Sequence, residues 1–229
     1  MKTRNEQMAM RDAVARGRPY RPEVEISRTQ SWASIVVRQT GLTLRELDRR
    51  CGAPGSGQWS KYLRGHSSPT AEKLAQIERI APGTSRYYDS PFWDFLDPGS
   101  LGERNPRKLY EWLDESLGTI FLLAEPPDVL FWRVPHQVHN DLKLIFTSKS
   151  AFMKPFDTVA ALLALTHESV VTQNFEGFAH CAVTWRRLCT QIDNDPKLSE
   201  GLWSAMPEDL IFKFADRIDE IYESYELGA

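Results

Sequence analysis

The sequence predicts a mainly α protein of two domains, and three observations carry that expectation. Apolar residues recur at i, i+3, i+4 and i+7 through most of the longer segments. Helix-start and helix-stop residues bracket those segments. Charge also divides the chain. Residues 1–88 hold 16 Lys and Arg against 8 Asp and Glu, while residues 89–229 hold 12 against 23, within a formal net charge of −3. The turn-rich run Asp97-Pro98-Gly99-Ser100-Leu101-Gly102 is the best boundary between the halves. At 229 residues, 41% hydrophobic and 11% aromatic, the chain can bury two cores.

The elements follow in order. Residues 1–27 form a basic arm; within residues 1–22, Lys2, Arg4, Arg11, Arg16, Arg18 and Arg21 outnumber Glu6 and Asp12. It is read as lying along phosphates or in a minor groove, or else as a solubilising tail. Ser31 is expected to cap a helix over Trp32–Gln39, with Trp32, Ile35 and Val36 inward and Thr40-Gly41 ending it. Thr43-Leu44-Arg45-Glu46 is a capping box: the hydroxyl serves a free backbone N–H and the carboxylate reaches back to another. Leu44, Leu47 and Cys51 then share one face, and Gly52-Ala53-Pro54-Gly55 stops the helix because proline lacks a donor.

The next segment, Ser56–Leu63, is short. Trp59 and either Tyr62 or Leu63 turn inward, which leaves Ser56, Gln58 and Lys61 outside. Arg64-Gly65 ends it, and Thr70 caps a further helix with Leu74, Ile77 and Ala81 inward. After the break at Ala81-Pro82-Gly83-Thr84, Tyr87, Tyr88, Phe92, Trp93 and Phe95 are read as covering the preceding core or joining it to the next domain. A stacking platform for single strands is disfavoured by Asp89, Asp94 and Asp97 among them.

A helix, a tight turn and a second helix with hydrogen-bonding side chains near its start is the geometry that offers side chains to the major groove. The stretch resembles the lambda-repressor-like (Cro-type, XRE) helix-turn-helix family. The resemblance runs through Leu42-Thr43, Glu46-Leu47, Gly52, Ser60, Arg64-Gly65, Pro69 and Leu74…Ile77…Ile80-Ala81, over roughly residues 28–88. It implies a DNA-binding domain over 28–97. It also implies a recognition helix at Ser56–Leu63, base contacts at Ser56, Gly57, Gln58 and Lys61, and Arg64 close to phosphate. Three features depart from the pattern. The turn is one residue longer than usual. Asp48 stands where a small apolar residue is usual, and is expected to cap or brace the turn. Leu63 replaces an acidic residue before Arg64.

Residues 103–229 read as an acidic helical domain. Asn105-Pro106 is an N-cap and first helical position, with Leu109, Trp112, Leu113 and Leu117 inward. Val129–Val134 and Leu142–Thr147 are strand or helix by pattern; we lean to helix. Phe156–Glu168, Phe178–Ile192 and Glu208–Tyr225 each carry an apolar stripe, and the last is narrow enough to pack within the chain or against a second subunit.

The expected function is a sequence-specific double-stranded DNA-binding transcriptional regulator, a repressor of bacterial or phage type by resemblance. It would bind as a homodimer, with phosphate contacts from Arg45, Arg49, Arg64 and the arm. Glutamine suits adenine and lysine suits guanine acceptors, so Gln58 and Lys61 would read bases. The acidic domain would dimerise or take a protein partner or a small ligand. The alternative is an interaction module, such as an antitoxin neutralising a partner protein. No cofactor, metal or catalytic residue is expected. His136 and His139 form H-x2-H beside Asp141, a spacing better read as a polar loop than as a metal site. His167-Glu168 lacks a second histidine at helical spacing, and no nucleophile elbow or phosphate-cradling glycine loop is present. There is no run of eighteen apolar residues and no apolar signal region at Met1–Val14. Cys51, Cys181 and Cys189 have no metal spacing, so a reducing, cytoplasmic setting is expected.

Overall fold

The computed structural model describes residues 21–96, 105–117, 135–147, 155–194 and parts of 212–223. The rest of the basic arm, the 97–102 turn and Val129–Val134 lie outside the described residues. Those described are mainly α-helical, with no strand among them. None of their helices is long and apolar enough to cross a membrane. Two compact units are present, Met1–Asp89 and Ser90–Ala229.

The first unit holds α1 (Glu23–Thr40), α2 (Leu44–Arg50), α3 (Gln58–Leu63), α4 (Ala71–Glu78) and α5 (Ser85–Tyr88). Helix α1 starts eight residues before the expected cap at Ser31. Its N-cap is Pro22, which supplies no side-chain bond but carries the first backbone bond, Ile26 N–H to Pro22 O at 3.1 Å. Residues 23–27 are therefore helix and not arm, and Ser31 lies buried inside α1. Gly41 ends the helix at φ 63°, where an L side chain would be strained, and its N–H reaches Val37 O at 2.9 Å.

The core of this unit is aromatic. Trp32 stacks on Trp59 at 5.4 Å and meets Tyr62 and Tyr88 edge-on at 5.6 and 5.9 Å. Such pairs add about 0.5–1.5 kcal/mol each beyond the area they bury. Leu47, Cys51, Leu74, Ile77 and Ala81 complete the core. Tyr62 is the inward partner of Trp59, while Leu63 is half-buried. Through these contacts α1 packs on α3 and α5, α2 on α3, and α4 on α5.

The second unit contains α6 (Phe92–Phe95), α7 (Arg107–Leu117), α8 (Pro135–Thr147), α9 (Pro155–Val171) and α10 (Phe175–Asn194). Its first residues correct the expected 28–97 boundary: Phe92, Trp93 and Phe95 belong here. Phe92 and Trp93 lie 4.6 and 5.8 Å from the Phe156 ring, and Phe95 lies 4.8 Å from His167. Helix α9 is the centre. It is buried from Phe156 to Ser169 except at Thr158, and α6, α7, α8 and α10 all pack on it. Asn105 caps α7, its Oδ1 accepting from Arg107 N–H at 3.0 Å, as its position before Pro106 predicts. His136 and His139 lie on α8, so H-x2-H is helical and not a loop; Leu142–Thr147 continues the same helix. In the last stripe Ile218 is fully buried and Arg186 on α10 pairs with Asp219 at 2.8 Å; Leu210, Phe214 and Tyr225 lie outside the described residues.

Candidate nucleic-acid interface

The geometry is built from α2, the turn 51–57 and α3. The capping box at the start of α2 is complete: Thr43 Oγ1 accepts from Glu46 N–H at 3.3 Å, and Glu46 Oε2 accepts from Thr43 N–H at 2.8 Å. The Thr43 hydroxyl and backbone bonds hold the Glu46 carboxyl below its usual range, as do Arg49 and Arg50. Gly52 and Gly55 then turn the chain at φ 71° and 75°.

Asp48 closes this turn. It is buried, and its carboxylate accepts from three groups at the start of α3. These are Ser56 Oγ–H at 3.2 Å, Gly57 N–H at 3.1 Å and Trp59 N–H at 3.3 Å. A negative charge at the amino end of a helix also meets the positive end of the helix dipole. Gly57 is the N-cap itself, left-handed at φ 62°, so no side chain of its own can cap α3. Asp48 supplies the cap from one helix earlier. This is the bracing expected of it, and it fixes the angle between α2 and α3. The amino end of α3 is consequently satisfied from within, and a phosphate has no free N–H to meet at Gly57 or Trp59.

The expected base-reading residues fare differently from one another. Ser56 and Gly57 precede α3 instead of lying on it, and Ser56 Oγ also accepts from Gln58 N–H at 3.2 Å. Gln58 is half-buried, and its Nε2 donates to Ser67 Oγ at 3.0 Å, tying α3 to the loop behind it. Lys61 is exposed, and its side chain has no hydrogen bond or ion pair among the described residues. Arg45 and Arg49 are exposed one turn apart on α2. Arg64 is exposed but folded back, with Nη2 donating to Ser60 Oγ at 2.6 Å and Nε to Ser60 O at 3.1 Å.

The loop after α3 is held by residues that sequence reasoning missed. Arg21, read as part of a phosphate-seeking arm, turns inward instead. Its guanidinium donates to Gly65 O and Ser68 Oγ, and it lies 3.8 Å from Glu25. Glu25 accepts from Ser68 Oγ–H at 2.6 Å and from Tyr88 O–H at 3.0 Å. Burial first, then the neighbouring Glu25, raises the Tyr88 hydroxyl above its usual range. Glycine suits position 65: φ is 67°, where an L side chain is strained, and a Cβ on Gly65 would crowd Ile26 Cγ2. These partners are some forty residues apart in sequence, and no local pattern announces them.

A shallow cleft of about 450 Å³ lies beside α4, lined by Cys51, Glu72, Lys73, Gln76 and Arg79 among others. Its charges are of both signs, and Lys73 Nζ is spent on Cys51 O at 3.2 Å and Gln76 Oε1 at 2.7 Å. Among the described residues no group of three His, Cys, Asp or Glu could hold a metal ion. No protein-family model, curated protein or solved structure matches this chain.

Proposed function

We propose that the first unit binds double-stranded DNA in a sequence-specific manner and that the chain is a transcriptional regulator, acting as a repressor. One observation carries the reading. A helix of six residues, braced by Asp48 and anchored by Trp59, presents an exposed lysine whose side chain has no partner among the described residues, with Arg45 and Arg49 exposed on the helix before it. Phosphate contacts from Arg45, Arg49 and Arg64 position the domain, with Arg64 leaving Ser60 to do so. Lys61 reads guanine O6 and N7. Gln58 reaches a base only by giving up Ser67, so its part in readout is the smaller. The surplus of acidic residues in the second half keeps that half away from the duplex and leaves it to pair with a second copy, a protein partner or a small ligand.

The test is selection of bound duplexes from a random library, followed by shift assays on the selected sequence. Lys61→Ala is expected to weaken specific binding by about 1–3 kcal/mol and relax the preference at one base pair. Recovery of no preferred duplex, or an unchanged preference in Lys61→Ala, would overturn the reading.

A further inference from the structure

In the second unit two histidines from different helices meet at the surface. His139 on α8 and His180 on α10 have ring centroids 4.8 Å apart, inclined at 53°. Both rings reach solvent: His139 is exposed and His180 half-exposed. The His139 ring makes no hydrogen bond or ion pair among the described residues, so none of these occupies its nitrogens. Glu176, one turn before His180, places Oε1 3.9 Å from His180 Nε2. The backbones on either side are secured independently of these rings. Helices α8 and α10 pack on each other, and Val138, Cys181 and Ala182 beside the histidines are buried.

Bringing two imidazoles together at a wet surface contributes little by packing alone, and it becomes repulsive once both rings are charged. The same arrangement suits a different task. Neutral imidazole is a ligand for borderline divalent ions, zinc, nickel and copper, and two imidazoles held by rigid helices lose little freedom on binding. We propose that His139 and His180 form a two-histidine surface site for a borderline divalent transition-metal ion. One imidazole nitrogen comes from each helix, and the Glu176 carboxylate adds negative charge beside them. With no third donor in place among the described residues, water fills the remaining positions. His136, one turn earlier on α8, has no such ring opposite it among the described residues. The proposal stands apart from DNA binding and survives or fails without it.

The experiment titrates the full chain with zinc, nickel or copper chloride and follows the melting temperature. An ion that binds only the folded chain raises it in proportion to the logarithm of its concentration over Kd. The expected result is a concentration-dependent rise that magnesium does not give. His139→Ala and His180→Ala should each lose at least about tenfold in affinity, while His136→Ala keeps it. Both histidines reach solvent, so these variants should fold, and circular dichroism checks that they do. Copper paramagnetic resonance on the unmutated chain gives a second reading, in which two nitrogen ligands are expected. A shift unchanged in the His139→Ala, His180→Ala double variant, no shift with any of the three ions, or a signal without two nitrogens would overturn the proposal.

Discussion

In the first unit polar side chains join one short helix to the start of the next; in the second a buried polar run lies in the last turns of the long central helix α9. Asp48 serves the start of α3, Thr43 and Glu46 the start of α2, and Thr70 that of α4, its Oγ1 accepting from Lys73 N–H at 3.2 Å. Glu78 accepts from Ser85 N–H at 3.0 Å at the start of α5. Helix α9, by contrast, buries four consecutive polar residues, Thr166 to Ser169, in its last turns. Three of them meet neighbours: Trp185 Nε1 donates to Thr166 Oγ1 at 3.0 Å, Tyr110 O–H to Glu168 Oε2 at 2.6 Å, and His167 Nε2 lies 3.1 Å from Phe95 O. The difference teaches what each set of bonds can specify. End bonds set the angle between short helices and leave their outer faces free. The bonds of α9 set which neighbours a buried helix accepts, because a wrong partner would strand a polar group away from water.

The comparison can be broken most forcefully at the aromatic core of the first unit. Trp32→Ala removes a fully buried ring that touches three others, and is expected to cost about 3–5 kcal/mol in urea unfolding. A loss well under 2 kcal/mol would mean that caps, not the core, carry the unit. Asp48→Ala is next, expected at about 2–3 kcal/mol because it strands buried donors. Its signature is local, since amide exchange should accelerate at Gly57 and Trp59 before it does in α4. Uniform acceleration would show that Asp48 serves the whole core and not one helix end. In the second unit Tyr110→Phe removes the hydroxyl facing a buried carboxylate and should cost about 1.5–3 kcal/mol, with no single helix end affected first.

The smallest effect is on pH dependence. Burial raises the Glu78 carboxyl, but the Ser85 hydroxyl and the backbone N–H groups of Gly83, Ser85 and Thr84 outweigh it, so the net shift is downward. A carboxyl lowered in the folded state stabilises above its unfolded value and loses that contribution as pH falls through the folded one. Stability should therefore decline below the ordinary carboxylate value of 4.5, and Glu78→Gln should flatten that part of the profile. An identical acid limb in the variant would remove Glu78 from the account.

Where a signal was local, the sequence carried it. The Thr43–Glu46 box and the Thr70 and Asn105 caps are patterns four residues long or shorter, and each is present. The stripes of α9 and α10 were legible for the same reason, since burial follows the helical repeat. Hidden features depend on distant partners. The early start of α1 has no capping side chain to mark it, and its first turns gain their anchors from Gly65, Ser68 and Tyr88. Phe92 and Phe95 were visible as core residues, but nothing near them says which core; Phe156 and His167 decide it. At the candidate interface, spacing placed Lys61 outside correctly. It placed Gln58 outside too, because Ser67 lies beyond the end of the helix and its bond to Gln58 has no sequence signature.

The central claim is that the exposed cations of α2 and α3 meet phosphate and base edges on a duplex. The most direct measurement is duplex affinity against salt concentration for the full chain and for Arg45→Ala and Arg49→Ala. Each contact neutralised releases a counterion, so affinity should fall steeply with salt, and the logarithmic slope should drop by about one for each arginine removed. A full chain with no duplex affinity, or a slope that neither substitution changes, would contradict the account.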